Sequence, residues 1–241
     1  MSETPETAFV LAAGLGTRMR PLTDRMPKPL VPVAGRALID HVLDRIGAAG
    51  VARAVVNVHY LADQIEAHLA GRRSPGFVIS DERAQLLDTG GGVVNARHLL
   101  GDRPFLIHNS DSIWRESGGS VLQHLFAAFD AERMDALLLL ADRATSLGYA
   151  GSGDFHLAAD GLLTRRAKGE TADFVFAGVS MASARLLRDA PAGPFSLNRL
   201  WDRGLAEQRV FGLVLQGTWM HVGDPAAVTL AERCIADAQR R

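Results

Sequence analysis

The first uninterrupted apolar run of the chain, residues 8–13, shows no alternation between apolar and polar positions, the pattern of a strand covered on both faces. Residues 14–35 then form a long segment punctuated by glycine and proline. From Leu38 the spacing turns helical, with Leu38, Val42 and Ile46 on one face and Gly50 placed to stop the helix before a second strand at 54–58. The alternation continues: Leu61, Ile65 and Leu69 mark a helix, 77–80 a strand, 91–100 a helix, 105–109 a strand, 121–129 a helix and 136–141 a strand. Strands alternating with helices predict parallel pairing through crossover helices, an α/β chain in three layers.

Beyond residue 150 the pattern changes. Segments 154–158 and 162–166 flank Ala159-Asp160-Gly161, the two-residue turn signal of a β-hairpin, and 175–181 reads as another strand, so antiparallel pairing is expected here. Residues 195–208 read as helix, 210–215 as strand, and a last helix carries Val228, Ala231, Ile235 and Ala238 on one face. No linker divides the chain and no internal repeat extends it, so a single domain over residues 1–241 is expected.

Directly after the first strand stands Leu11-Ala12-Ala13-Gly14-Leu15-Gly16-Thr17-Arg18-Met19, followed shortly by Met26-Pro27-Lys28-Pro29. This composition suits a phosphate cradle. Glycines let backbone N–H groups approach an anion, Thr17 adds a hydroxyl, Arg18 can grip phosphate oxygens in pairs, and Lys28 offers a compact charge from a segment stiffened by two prolines. A dinucleotide fingerprint fails because Met19 stands at its third glycine, and a P-loop fails because Gly-Lys-Ser/Thr is missing. A purely structural turn would account for the glycines but not for Arg18 and the Pro-Lys-Pro run together.

Charge and composition narrow the chemistry further. The net charge is −1, so an anionic ligand must be held locally, and neither a nucleic-acid coat nor a polybasic membrane anchor is expected. Lysine occurs only at Lys28 and Lys168 among 26 basic residues, which makes a lysine inside the motif informative. One cysteine, Cys234, excludes an intrachain disulfide, a Cys-rich metal cage and dithiol chemistry. The longest apolar run falls far short of the roughly 18–20 residues of a membrane helix, and a basic export leader is missing, so a soluble cytoplasmic protein is expected.

The stretch from Leu11 to Val33 resembles the signature of the sugar-1-phosphate nucleotidyltransferases, and the resemblance runs along the whole chain, without the C-terminal β-helix of some members. It implies a three-layer Rossmann-like mixed sheet, with a nucleotide-binding part over about 1–115 and a sugar-binding part over about 116–241. It also implies a nucleoside triphosphate and a sugar-1-phosphate as ligands and Mg²⁺, or alternatively Mn²⁺, as cofactor. The first expected pair is UTP with N-acetylmuramate-1-phosphate; the second is GTP with mannose- or heptose-1-phosphate. On this resemblance Ala12, Ala13, Gly14, Leu15, Gly16 and Thr17 bind the nucleotide, with Gly14 to Arg18 cradling its triphosphate, and Arg18 and Lys28 are the catalytic cations. Glu82, Thr89 and Gly90 fall where the family lines its nucleoside pocket. Asn109, and Gly151, Asp154 and Gly178 within Tyr149-Ala150-Gly151-Ser152-Gly153-Asp154 and Phe176-Ala177-Gly178-Val179-Ser180, fall where it lines its sugar pocket.

Asp111 follows the strand 105–109, at the edge where open α/β sheets bind ligands, and is the expected metal ligand. The family's second metal carboxylate maps onto His221 in Trp219-Met220-His221-Val222-Gly223-Asp224-Pro225. Three readings stand. Asp111 holds the metal with waters and phosphates; His221 ligates a softer ion such as Mn²⁺ or bonds phosphate as imidazolium; or the site is impaired. Asp224, with Pro225 behind it, reads as the cap of the last helix. Lys168 is either a sugar-phosphate contact or an exposed loop residue. Two rival functions remain: a metal-dependent glycosyltransferase reading Asn109-Ser110-Asp111 as a degenerate metal motif, and a non-catalytic nucleotide-sugar sensor, argued only by His221.

Overall fold

The computed structural model describes residues 4–239, with side chains to residue 237. In chain order the elements are β1 (Thr7–Leu11), β2 (Pro32–Val33), β3 (Arg36–Ala37), α1 (Leu38–Ala48), β4 (Arg53–Val58), α2 (Ala62–Leu69) and β5 (Gly76–Asp81). There follow α3 (Asp88–Asn95), α4 (Arg97–Leu100), β6 (Phe105–Asn109), β7 (Ser112–Glu116), α5 (Val121–Ala128) and β8 (Ala136–Asp142). The last third comprises β9 (Phe155–Leu157), β10 (Leu163–Arg165), β11 (Phe174–Ala182), α6 (Asn198–Ala206), β12 (Val210–Val214), β13 (Gly217–His221) and α7 (Pro225–Gln239).

The central sheet has nine strands. β5, β4, β1 and β6 pair in parallel; β11 lies antiparallel beside β6 and β8, and β12 closes that edge parallel to β8. The mixed Rossmann-like sheet expected from the sequence is therefore present. The unbroken apolar run of β1 has its reason in the layers: Ala8 and Val10 pack toward α1, α2 and α5, whereas Phe9 packs toward α3, α4 and α6. Full burial of a side chain the size of Phe9 contributes about 2–3 kcal/mol, and both faces of the sheet gain it. Among the described residues no helix is long and apolar enough to cross a membrane.

Several boundaries differ from expectation. β1 ends at Leu11 because the N–H groups of Ala12 and Ala13 donate to Asn57 Oδ1, at 2.7 and 3.3 Å, rather than to a ladder. The helix expected over 91–100 begins at Asp88 and is divided at Ala96. The predicted hairpin is real, but its strands are three residues each and its connection is longer than a two-residue turn. Residues 195–197 of the expected helix run irregularly, because the Phe195 carbonyl accepts from the N–H groups of Gly90 and Gly91. Asp224 does cap α7, its Oδ1 accepting from Ala227 N at 2.9 Å; Ala238 lies outside the residues with described side chains.

Two features that build the site were not anticipated. β7 and β13 form an antiparallel ribbon apart from the main sheet, with Ser112 opposite His221. Met220 and Ile113 of this ribbon pack with Met19, Val31 and Val33, which ties it to the glycine-rich loop. In β11 the pairing to β8 slips between Phe176 and Ser180, so that Ala177, Gly178 and Val179 stand opposite Leu139 alone. Gly178 adopts φ +80°, and a Cβ there would stand 2.7 Å from Ser112 Cβ, so only glycine fits the bulge. Ser112 Oγ donates to the Ala177 carbonyl and accepts from Trp219 Nε1 at 2.9 Å, pinning bulge and ribbon together. Beyond the bulge β11 pairs with β9 instead of β6, which opens the sheet next to Asn109.

Candidate active site

A cleft of about 420 Å³ lies at the C-terminal ends of β1 and β6. It is lined by Ala12, Ala13, Gly14, Leu15, Gly16, Thr17 and Arg18 of the glycine-rich loop, by Lys28 and Asn57, and by Thr89, Asn109 and Asp111. Gly16 takes φ +64° and opens a short turn at Thr17–Met19; its carbonyl accepts from Met19 N and from Thr23 Oγ1. Among the described residues, no acceptor within the chain meets the backbone N–H groups from Gly14 to Arg18. Successive free N–H groups in such a turn form an anion-binding concavity. Arg18 is exposed and has no ion-pair partner among the described residues.

Ala12 and Ala13 are among the residues expected to bind the nucleotide. Both line the cleft, but Asn57 already accepts from their N–H groups, so the cradle begins at Gly14. Glu82, by contrast, does not line the cleft. It is buried, accepts from Asn57 Nδ2 at 2.8 Å and from Leu87 N at 3.2 Å, and thereby orients Asn57. Burial raises the Glu82 carboxyl above its ordinary range against the pull of those hydrogen bonds. Gly90 is also set back from the cleft. A Cβ there would fall 2.4 Å from the Phe195 ring, so the glycine serves close packing of α3 against the segment leading into α6. Thr89 does line the cleft, its Oγ1 accepting from Leu197 N at 2.8 Å.

At the floor, Lys28 Nζ donates to Asp111 Oδ2 at 2.5 Å, with side chains only 14% and 20% exposed. Burial alone would raise the Asp111 carboxyl, but the Lys28 ammonium and its hydrogen bond outweigh it, aided by His221, and hold the group below the usual carboxylate range. His221 moves down chiefly through burial, with Lys28 and Arg18 adding to the effect against Asp111, which favours the neutral imidazole. His108, next to Asn109 in β6, is fully buried and stacked on Trp114 at 5.5 Å, and burial pushes it down to about 3. Among the described residues no three His, Cys, Asp or Glu side chains converge as a metal cage. One ionised carboxylate beside open cleft nonetheless suits a hard divalent cation that takes its remaining oxygens from phosphates, and a neutral imidazole at His221 is competent as a nitrogen ligand.

A second cavity, of about 360 Å³, adjoins the first and shares Leu11, Asp88, Thr89, Asn109 and Asp111 with it. Its walls bring in Ser112, Tyr149, Asp154, Arg165, Phe176, Gly178, Trp201 and His221. Asn109, Asp154 and Gly178 thus meet as expected, and Asp154 Oδ2 accepts from Phe176 N at 2.9 Å. Gly151 does not join them; it is exposed, beneath the Tyr149 hydroxyl. Lys168 is exposed and belongs to neither cavity. Arg165, Asn198 and Trp201 were not found by sequence reasoning, because neither motif nor periodicity marks them.

Gly14 offers a direct check of the cradle. Its φ is not in the left-handed region and a Cβ there meets nothing within 4 Å, so the fold tolerates a side chain that a phosphate would not. Gly14→Val is expected to raise KM for the nucleotide by about 10-fold or more, on the order of one lost phosphate contact, while Tm stays within ~2 °C. A Tm drop without a KM change, measured by steady-state kinetics and calorimetry, would remove Gly14 from the cradle.

Residues 7–154 match the family described as nucleotidyl transferase. Over 99% of its length the chain is 53% identical to the whole of the N-acetylmuramate alpha-1-phosphate uridylyltransferase of Caulobacter vibrioides. It is 35% identical to the protein of the same name from Neisseria meningitidis, over 90% of this chain and 92% of that one. Among solved structures, the inositol-1-phosphate CTP transferase of T. maritima superposes with a TM-score of 0.78 at 17% identity, covering 97% of each chain. A UDP-glucose pyrophosphorylase complexed with UDP-glucose superposes at 0.77 and 15% identity, over 97% of this chain and 99% of that one, and these two likenesses bear on fold alone. With identity at this level spread over nearly full length, the chain belongs to the nucleotidyl transferase family.

Proposed function

We propose that this protein joins UTP to N-acetylmuramate-1-phosphate, forming UDP-N-acetylmuramate and pyrophosphate. The observation that carries the reading is the meeting of two cavities at Asp111, one walled by a free N–H cradle and the other by aromatic and polar side chains. Two relatives bearing that activity in their names, alike over nearly their whole length, support the choice of base and sugar.

In the reaction an oxygen of the sugar phosphate attacks the α-phosphorus of UTP, a new P–O bond forms, and the bond to the β-bridging oxygen breaks to release pyrophosphate. No protein nucleophile is required; alignment and charge neutralisation do the work. The Gly14–Arg18 backbone holds the triphosphate, and Arg18 and Lys28 neutralise charge that builds on the phosphates. Asn109 and Gly178 border the attacking group, with Tyr149, Phe176 and Trp201 shaping the sugar's surroundings. Asp111, with His221 beside it, would hold a divalent cation, Mg²⁺ first and Mn²⁺ as the alternative, which when bound supplies charge neutralisation at the phosphates. A requirement for nucleoside triphosphate supports a cytoplasmic setting.

The test is a pyrophosphate-release screen crossing UTP, GTP, dTTP and CTP with the 1-phosphates of N-acetylmuramate, N-acetylglucosamine, glucose and mannose, in Mg²⁺ and in Mn²⁺. Release is expected only with UTP and N-acetylmuramate-1-phosphate as the preferred pair. Preference for GTP with mannose-1-phosphate overturns the substrate assignment and keeps the reaction. Sugar transfer from UDP-sugar to an acceptor without pyrophosphate points to a glycosyltransferase, and nucleotide binding with no turnover in either metal points to a sensor.

A further inference from the structure

The second cavity is chemically polarised. The end it shares with the nucleotide cleft holds Asp111 and Asn109, where the reacting phosphate must lie; Arg165, on β10, belongs to the unshared part with Asn198 and Trp201 of α6. Arg165 is the single lysine or arginine side chain in that lining. Within this pocket a second negative charge on the acceptor therefore has one cationic partner.

The guanidinium is held ready. Its Nε donates to Asp202 Oδ1 at 2.7 Å, one Nη donates to Asn198 Oδ1 at 3.2 Å, and its Cζ lies over the Phe155 ring, 4.9 Å from the centroid. The other terminal nitrogen, Nη1, has no partner among the described residues. A role as surface salt bridge alone accounts poorly for this arrangement: Asp202 is 57% exposed, and an exposed pair contributes only about 0–1 kcal/mol. An arginine fixed at two nitrogens and on one face has already lost most of its rotamer freedom, so a carboxylate binds its open edge at little further entropy cost.

Resting on the proposed substrate, we infer that Arg165 recognises the carboxylate of the lactyl ether that distinguishes N-acetylmuramate from other N-acetylhexosamines, and so determines acceptor specificity. A sugar phosphate lacking the lactyl group presents only a hydroxyl at that carbon and leaves the guanidinium hydrated.

The experiment compares kcat/KM for N-acetylmuramate-1-phosphate, its lactyl amide and N-acetylglucosamine-1-phosphate, with UTP in excess, in the unmodified protein and in Arg165→Met and Asp202→Asn. For Arg165→Met the value with N-acetylmuramate-1-phosphate is expected to fall about 10- to 150-fold, the range for a hydrogen bond to a charged group. The values for the amide and for N-acetylglucosamine-1-phosphate should change less than ~3-fold, and KM for UTP should not move, which also shows that the variant is folded. Asp202→Asn is expected to retain N-acetylmuramate-1-phosphate activity. Equal losses on all three acceptors, an unchanged value with N-acetylmuramate-1-phosphate, or an Asp202→Asn variant that copies Arg165→Met overturns the assignment alone. An unmodified protein that ignores N-acetylmuramate-1-phosphate and turns over another sugar phosphate overturns the proposed substrate, and the assignment falls with it.

Discussion

Arg18→Ala is expected to lower kcat for pyrophosphate release by about 10³-fold, the scale seen when an arginine that neutralises transition-state charge is removed. The side chain is exposed and has no ion-pair partner among the described residues, so its removal opens no cavity and strands no charge. Tm should accordingly stay within ~2 °C. The turn that begins at Gly16 sets Arg18 on the wall of the nucleotide cleft, close enough for its charge to help keep His221 neutral. Arg18→Lys is expected to recover only part of the rate, because an ammonium lacks the planar pair of donors. Steady-state kinetics decides the matter. A kcat unchanged within threefold, or a loss confined to KM, would show that Arg18 binds the ground state or does nothing.

Asp111→Asn tests the other side of the cleft and is expected to be as severe, with kcat reduced at least about 10³-fold. The substitution is nearly isosteric, so the loss would report charge rather than shape. It should also separate binding from turnover. The Asp111 carboxylate is held below its ordinary range and stands in the cleft proposed to take the triphosphate, and Lys28 is engaged with it. Removing that charge relieves repulsion and frees the ammonium for phosphate. UTP binding measured by calorimetry in the absence of divalent metal is therefore expected to tighten several-fold while turnover collapses. Turnover near the unmodified value, or weaker metal-free binding, would contradict the role given to Asp111.

The parts of the site that were legible in the sequence are local ones. The cradle from Gly14 to Arg18 and the prolines flanking Lys28 lie close together, and their chemistry depends on residue types that few other settings explain. Asp111 was legible for a similar reason, since it closely follows the end of a recognisable strand. Gly90 and Glu82, expected in the nucleoside pocket through the family resemblance alone, stand outside the lining of the cleft. What they pack against is another part of the chain, Phe195 for Gly90 and Asn57 for Glu82.

The sequence by itself determined the layer architecture, because apolar periodicity encodes how many faces of each element are covered. It also marked the glycine-rich turn at Gly14 to Arg18, because turn chemistry is a property of adjacent residues. The tertiary structure alone decided how the two cavities join and what lines the second one. Ser112 must meet Ala177 and Trp219, and Arg165 must meet Asn198 and Asp202, across separations of 33 to 107 residues. Such contacts leave no periodic trace, since each side chain is chosen for a partner that only the completed fold brings within reach.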